Sequence, residues 1–216
     1  MNKIYQVIDH LELYDTPPPL TTKAIASVKG MLSVLENRGH QYFSPRGTTT
    51  VDKQYITELE RIIIVSTEGL LNQSNREILR YFNSVQLWGG ITGRNIYLRG
   101  ALNENLDLEN YRDLIRVCKE AVTPSEVMDV ARTFNLKTRY IGYAFITKHI
   151  RFLTTVNHMN LELPIYDSII AKGVYGKATV SEKDIPAYWN EMIGIAHSKK
   201  VSVRVLERAL FNFLRG

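Results

Sequence analysis

Apolar residues recur along most of this chain at the spacing of about 3.6 residues that is typical of amphipathic helices. This spacing predicts helices over about residues 22–36, 52–70, 72–82, 108–122, 124–134, 145–157, 185–196 and 201–214. No segment shows the convincing alternation of apolar and polar positions that a half-buried strand requires. The pattern therefore predicts an all-α protein.

Capping signals mark two of the helix starts. Thr123 is typical of an N-cap, Pro124 of the first helical position, and Glu126 stands in capping-box register. Asp184 precedes another apolar stripe and is predicted to cap that helix. These signals place helix starts near residues 124 and 185.

The segment from Ser84 to Gly100 breaks the helical rhythm. Its four glycines permit turns and close backbone approach, and Trp88 and Arg94 lie among them. It lacks the lysine–serine/threonine ending of a P-loop. Two interpretations stay open: a loop that receives a flipped base or braces a phosphate, and a turn that only packs.

Composition narrows the class of protein. With 216 residues and 44% hydrophobic content, the chain forms one domain or two small lobes with a substantial core. No run of eighteen apolar residues occurs and the N-terminus is too charged for a signal peptide, so we expect no membrane partner. The single cysteine, Cys118, excludes an internal disulfide, fits the cytoplasm and follows the core spacing. Because no Cys/His cluster has zinc spacing, we expect no metal site. We also expect no cofactor.

The net charge of +5 is unevenly distributed. Residues 132–216 contain thirteen Lys or Arg and six Asp or Glu, a net +7, whereas the first 131 residues carry about −2. This asymmetry indicates either a half of the molecule that faces a polyanion or a solvated basic surface without a partner.

Candidate chemistry is concentrated between Gly142 and Asp167. Lys148 lies near the start of an apolar helix, beside Phe152, and Asp167 follows nineteen positions later. Nine helical residues advance about 13 Å, and the next nine can span up to about 30 Å when extended. The chain can therefore return Asp167 to the side of Lys148, so that both share one cleft.

Simpler interpretations exist for the same residues. Asp167 precedes SIIAKG, a short helical segment that Gly173 would end, and is typical of an N-cap. Lys148 alone fits a solvated helix lysine, and His149 falls in the apolar arc as a hydrogen-bonded core histidine would.

The run GYAFITK together with the P-x-x-D of residues 164–167 resembles bacterial proteins of the 8-oxoguanine DNA glycosylase fold. These belong to the helix-hairpin-helix superfamily of base-excision glycosylases, whose bifunctional members carry a lysine after the hairpin and an aspartate about that far downstream. The resemblance covers about residues 140–172, and more loosely the chain up to the C-terminal helix. Two features depart from it: one extra residue separates Pro164 from Asp167, and Ala144 and Ile146 occupy the positions of the hairpin glycines.

The resemblance implies a helical fold with a cleft between two lobes, residues 1–100 plus 185–216 and residues 101–184, within one unit. It implies a monomer that binds double-stranded DNA, with Lys148 and Asp167 as catalytic residues. Candidates for the base pocket or the wedge are Trp88, Tyr143, Phe145, His149 and Tyr166. Candidates for contacts with the DNA backbone are Arg94, Lys137, Arg139 and Lys172.

The implied activity is excision of a modified base, with an oxidised purine such as 8-oxoguanine favoured. An abasic site would remain, and Schiff-base chemistry of the lysine would allow strand cleavage by β-elimination. One alternative is a phage-defence glycosylase that excises glucosylated hydroxymethylcytosine from viral DNA. Another is a helical DNA-binding protein without catalysis.

Overall fold

The computed structural model describes residues 3–8, 11–14, 21–46, 50–90, 106–138 and 141–215. Across these ranges the chain is all-α and contains no strand, which confirms the predicted class. The helices are α1 (Lys3–Ile8), α2 (Leu11–Tyr14), α3 (Thr22–Asn37), α4 (Lys53–Thr67), α5 (Asn75–Gly89), α6 (Leu108–Glu120), α7 (Pro124–Lys137), α8 (Tyr143–Leu153), α9 (Ser168–Tyr175), α10 (Ile185–Lys199) and α11 (Val203–Arg215). None of the helices in these ranges combines the length and the hydropathy that a membrane span requires.

Most long helices begin where a side chain satisfies a free backbone amide. Thr21, Asp52, Ser74, Asp107 and Thr123 each accept a hydrogen bond from an amide of the first turn. Glu126 reaches back over the start of α7, where its carboxylate accepts the Val122 amide at 3.1 Å and the Thr123 hydroxyl at 3.0 Å. The predicted start at Pro124 is thereby confirmed.

Helix α5 is longer than its periodicity predicted, because it runs to Gly89 and does not end near Phe82. Buried polar residues hide its last two turns from a hydrophobic pattern. Asn83 donates to the Gln41 carbonyl at 2.8 Å, and Ser84 accepts the Phe43 amide at 2.7 Å. These side chains are inward-facing although they are polar, since each has a partner on the neighbouring segment.

One predicted helix end and one predicted side-chain cap near the site are wrong. Helix α9 continues past Gly173 and ends at Tyr175, and it is followed by Gly176, whose φ is +66°. A Cβ on Gly173 would lie 2.6 Å from a Leu214 methyl, so this glycine permits the close approach of α9 and α11. Helix α10 starts at Ile185 as predicted, but the Asp184 side chain makes no capping hydrogen bond. Its carboxylate instead accepts from Lys177 Nζ at 2.5 Å and from the Tyr166 hydroxyl at 3.3 Å.

Helix α8 is the central element of the fold. It packs against α4, α5, α6 and α7, while α11 packs against α1, α2, α9 and α10. The buried apolar side chains of all these elements form one cluster, which includes Cys118 as predicted. Helices α7 and α8 are consecutive and have the outline of a helical hairpin. Near the connection between them, Asn135 donates to the Ile141 carbonyl at 2.6 Å. The helix-hairpin-helix assignment and the cleft between two lobes stay predictions.

Asn157 fixes the turn that sends the chain back from α8. Its amide nitrogen donates to the Cys118 and Ala121 carbonyls at 2.8 and 3.0 Å. Its oxygen accepts the Met159 and Leu161 amides at 2.7 and 3.0 Å. The whole amide is therefore satisfied, and the return path toward residue 167 is anchored on α6.

We expect Asn157→Asp to lower the free energy of unfolding by about 2–4 kcal/mol, because it turns a carboxylate oxygen toward two carbonyl oxygens. Urea unfolding followed by circular dichroism measures the loss. His158→Ala, a change of the exposed neighbouring side chain, is the control and should lie near the wild type. Equal stability of the two variants would contradict the assigned role of Asn157.

Candidate active site

Lys148 lies in the second turn of α8 and is only 6% exposed, so the interpretation as a solvated helix lysine is wrong. Its Nζ lies 4.4 Å from the centre of the Phe145 ring. On the other side stands Gly89, where a Cβ would be 3.3 Å from Lys148 Cδ and 3.5 Å from Nζ. The lysine therefore occupies a narrow space between α5 and its own helix that a larger residue at position 89 would crowd.

Burial is the main reason why the pKa of Lys148 is lowered from its ordinary value. The guanidinium of Arg215 lowers it further, whereas the carboxylate of Asp167 acts in the opposite direction and raises it. No described residue accepts a hydrogen bond from Lys148 Nζ. A buried amine without such a partner has a larger neutral fraction than an exposed lysine.

Asp167 combines two properties. Its Oδ1 accepts the Ile169 and Ile170 amides at 2.9 and 3.2 Å, which confirms the predicted N-cap of α9. The side chain is half-buried, and its charge acts on both Lys148 and Arg215. Asp167 can therefore cap α9 and act electrostatically on Lys148 at the same time.

A side-chain clip explains why these two residues are neighbours. The Thr147 hydroxyl accepts the Tyr166 amide at 3.1 Å and donates to the Tyr166 carbonyl at 3.2 Å. Thr147 immediately precedes Lys148, and Tyr166 immediately precedes Asp167. The buried clip therefore fixes the two backbone positions side by side across nineteen residues of chain.

Arg215 at the end of α11 completes the charged group. Its guanidinium lies 4.4 Å from the centre of the Phe211 ring, and the side chain is exposed. Partial burial lowers the pKa of Arg215, and Asp167 opposes that shift. One carboxylate thus lies within electrostatic range of two cations, the buried Lys148 and the exposed Arg215.

His149 is a core residue and does not line a pocket, contrary to its prediction as a pocket candidate. Its ring is fully buried and stacks on Phe82, with 4.7 Å between ring centres. Its two nitrogens bond to the Tyr111 hydroxyl at 2.8 Å and to the Gln86 amide at 3.1 Å. Burial, assisted by Lys148, lowers the pKa of His149 to about 3. His149 is therefore a neutral, hydrogen-bonded core residue.

The four other pocket candidates differ in exposure. Tyr166 is fully buried beside two tyrosines and donates to Asp184, so it cannot stack on a base without rearrangement. Phe145 is also buried and faces Lys148. Tyr143 is half-buried and donates to Glu182 at 2.7 Å. Trp88 is half-buried, with its ring edge-on to Phe152 at 4.9 Å between centres. Trp88 and Tyr143 keep the most exposed surface.

The candidates for DNA-backbone contacts divide into two groups. Lys137 at the end of α7 and Lys172 on α9 are exposed. Arg94 and Arg139 lie outside the described residues. Trp88 belongs to helix α5 and not to the predicted glycine-rich loop. The helix ends at Gly89, later than the break at Ser84 that the periodicity indicated.

A separate groove of about 580 Å³ lies between α6 and α7. It is lined by residues of both helices such as Asp113, Glu120 and Thr133, and it contains neither Lys148 nor Asp167. Across the ranges that the structure describes, no group of three or more His, Cys, Asp or Glu side chains is arranged to hold a metal ion.

Reasoning from sequence did not identify Thr147 or Arg215 as parts of the site. Thr147 is one polar residue in an apolar helix, and Arg215 reads as an outward charge on a terminal helix. Neither has a local pattern that distinguishes it, since both matter through contacts distant in sequence.

Comparisons of the chain with models of protein families, with curated proteins and with solved structures find no match.

We expect Thr147→Val to lower the free energy of unfolding by about 1–3 kcal/mol, because it leaves the buried Tyr166 amide without an acceptor. Thr147→Ser is the matched control, since it keeps the hydroxyl and loses only a methyl group. Thermal and urea unfolding of the two variants give the difference. A valine variant as stable as the serine variant would show that the clip contributes little.

We expect Lys148→Met to raise the free energy of unfolding at pH 7 by about 1 kcal/mol or more, because it removes a buried charge and fills the same space. The folded-state pKa of Lys148 lies below its unfolded value, so the unfolded chain binds more protons between the two values. The wild type therefore gains stability as pH rises toward about 10.4, and the difference between the two proteins narrows. Urea unfolding at pH 7 and pH 10 tests this, and a gap that widens with pH would contradict it.

Proposed function

We propose that this protein is a DNA glycosylase that excises a modified base, with Lys148 as nucleophile and Asp167 as the stabilising carboxylate. The observation that carries the proposal is the buried amine of Lys148, because burial lowers its pKa. The bond between Thr147 and Tyr166 holds Asp167 on the adjacent backbone segment. A buried lysine is unfavourable for folding, which favours a chemical role over a structural one. The resemblance of this segment to the glycosylase superfamily supplies the reaction.

The amine of Lys148 attacks only when it is neutral. Its nitrogen bonds to C1′ of the deoxyribose as the bond to the base breaks, and the base departs with the bonding electron pair. The new ammonium loses a proton, the bond from C1′ to the ring oxygen opens, and that oxygen is protonated as the Schiff base forms. Loss of a C2′ proton then expels the 3′ phosphate and cleaves the strand.

Asp167 supports the same step electrostatically. Positive charge builds on the sugar as the base leaves, and a fixed carboxylate nearby stabilises that charge. The two amides of α9 that bond to Oδ1 hold the carboxylate in one orientation. Its remaining oxygen accepts no hydrogen bond from any described residue, and it is therefore available to face the sugar.

Exposed basic side chains on the described part of the chain support a polyanionic substrate. Lys137, Lys172 and Arg215 are exposed, whereas Arg132, Arg151 and Lys177 are engaged by carboxylates. A base inside a duplex is out of reach of a buried amine, so the target nucleotide must be flipped toward Lys148. Among the pocket candidates, Trp88 and Tyr143 have the most exposed surface for contact with the flipped nucleotide.

A duplex that carries a preformed abasic site tests the nucleophile without knowledge of the base. We expect cyanoborohydride to trap a covalent adduct with the wild type, because its hydride reduces the Schiff base to a stable amine. Lys148→Met should abolish the adduct and retain DNA binding, while Lys29→Ala, a loss of an exposed lysine on α3, should trap like the wild type. An adduct that persists in Lys148→Met would refute the assignment.

Asp167→Asn separates the carboxylate from the cap. Asparagine caps a helix about as well as aspartate, so α9 and the stability should change little. We expect the excision rate to fall by about a hundredfold or more, in the range measured for the removal of one electrostatic stabiliser. Asp167→Ala should lose both rate and about 1 kcal/mol of stability. If both variants lose only stability, Asp167 is no more than a cap.

The substrate is identified with duplexes that bear oxidised, alkylated, deaminated or glucosylated bases, scored for abasic sites. Excision of an oxidised purine supports the repair activity, and excision of a glucosylated cytosine supports a role against viral DNA. Excision without trapping assigns a monofunctional enzyme, in which Asp167 is the more important residue. Binding without excision or trapping leaves a DNA-binding protein and defeats the proposal.

A further inference from the structure

Glu207 on α11 joins the two chain segments that carry the candidate site. The residue is 7% exposed, and each of its carboxylate oxygens bonds to a different segment. Oε1 accepts the Ile165 amide at 2.5 Å, and Oε2 accepts Arg151 Nε at 3.3 Å. Ile165 lies two residues before Asp167, and Arg151 lies three residues after Lys148 on α8.

Arg151 extends this connection to two further helices. Its Nη2 donates to Glu60 of α4 at 2.8 Å. Its guanidinium lies 4.8 Å from the centre of the Phe152 ring and 5.6 Å from that of Trp88. Trp88 precedes Gly89, the residue that bounds the space of Lys148. A continuous set of contacts therefore runs from α11 through α8 to α4 and α5.

Only a carboxylate can fill this place. The Ile165 amide and Arg151 Nε are both donors, so the side chain between them needs two acceptor oxygens. Glutamine has one such oxygen, and its amide nitrogen would face a donor. Aspartate has two oxygens on a side chain shorter by one methylene group.

The energetics point away from a purely stabilising role. Burial raises the pKa of Glu207, whereas Arg151 and the Ile165 amide lower it. A buried ion pair often contributes no more stability than an apolar pair of similar volume. What such a pair contributes instead is a defined distance and orientation, because both partners bond in fixed directions.

We propose that Glu207 is a positioning residue that sets the spacing between the Asp167 carboxylate and the Lys148 amine. The inference rests on the proposed function, because positioning has meaning only if these two groups act on one sugar. Thr147 joins the two backbones next to the reacting side chains, and Glu207 provides a second connection through the Ile165 amide and Arg151. The two anchors together fix the distance and the rotation of one segment relative to the other.

The test uses the whole 216-residue chain and the duplex with an abasic site, with cyanoborohydride, under single-turnover conditions. Glu207→Gln removes one acceptor, and Glu207→Asp keeps both acceptors at a shorter reach. The double variant Arg151→Met with Glu207→Leu replaces both charges of the buried pair, so that neither charge is left buried without its partner. Thr67→Val is the control for stability, because it removes a buried hydrogen bond to Tyr81 elsewhere in the core.

We expect the adduct rate at saturating protein to fall by about ten- to a hundredfold in Glu207→Gln and in the double variant, since small misplacements of reacting groups have effects of this size. The adduct rate of Glu207→Asp should fall less. The protein concentration for half-saturation should stay within about twofold of the wild type in all of them, because phosphate contacts dominate DNA affinity. Thr67→Val should trap at the wild-type rate despite its lower stability.

A double variant that is folded and traps at the wild-type rate overturns the inference and leaves the proposed function intact. The same holds if Thr67→Val loses as much rate as Glu207→Gln, since the effect then follows stability alone. A wild type that neither traps nor excises overturns the proposed function itself, and the role of Glu207 with it. The two failures are distinguishable because the first appears only in the variants.

Discussion

Burial of the Lys148 ammonium group between Phe145 and Gly89 is the constraint on which the rest of the site depends. A lysine in such surroundings is unfavourable as a cation, so its pKa is lowered and its neutral form becomes accessible. Exposure of the same lysine would restore its ordinary pKa and its charge, and in the proposed mechanism it would remove the neutral amine. The packing of α5 against α8 therefore sets the environment of the amine to which the proposed function assigns the chemistry.

Asp167 limits how far this effect extends. A carboxylate near Lys148 raises the pKa of the amine, while the guanidinium of Arg215 lowers it. The proposed mechanism requires a balance between these effects, because Asp167 has to be close enough to act on the sugar while Lys148 has to stay outside an ion pair with it. The two groups do not form an ion pair, which is the arrangement that this balance requires.

The local features of the fold were readable from the chain, and the exceptions are instructive. Helix class, the cap at Thr123 and the cap at Asp167 follow from neighbouring residues alone. The end of α5 was misplaced because Asn83 and Ser84 are polar but bonded and buried. Asp184 was assigned as a cap although Lys177 and Tyr166 take its carboxylate. Each error arose where a partner distant in sequence replaced the local one.

By itself the sequence determined an all-α protein, and it identified a lysine and an aspartate nineteen residues apart on either side of a reversing chain. The periodicity of a helix indicates which face is buried, because that depends on residues three or four positions away. Only the tertiary structure decided that Lys148 is inside, that His149 is a core residue, and that Thr147 and Glu207 join the two segments. Those contacts depend on how α4, α5, α8 and α11 pack together, and no short stretch of sequence specifies that packing.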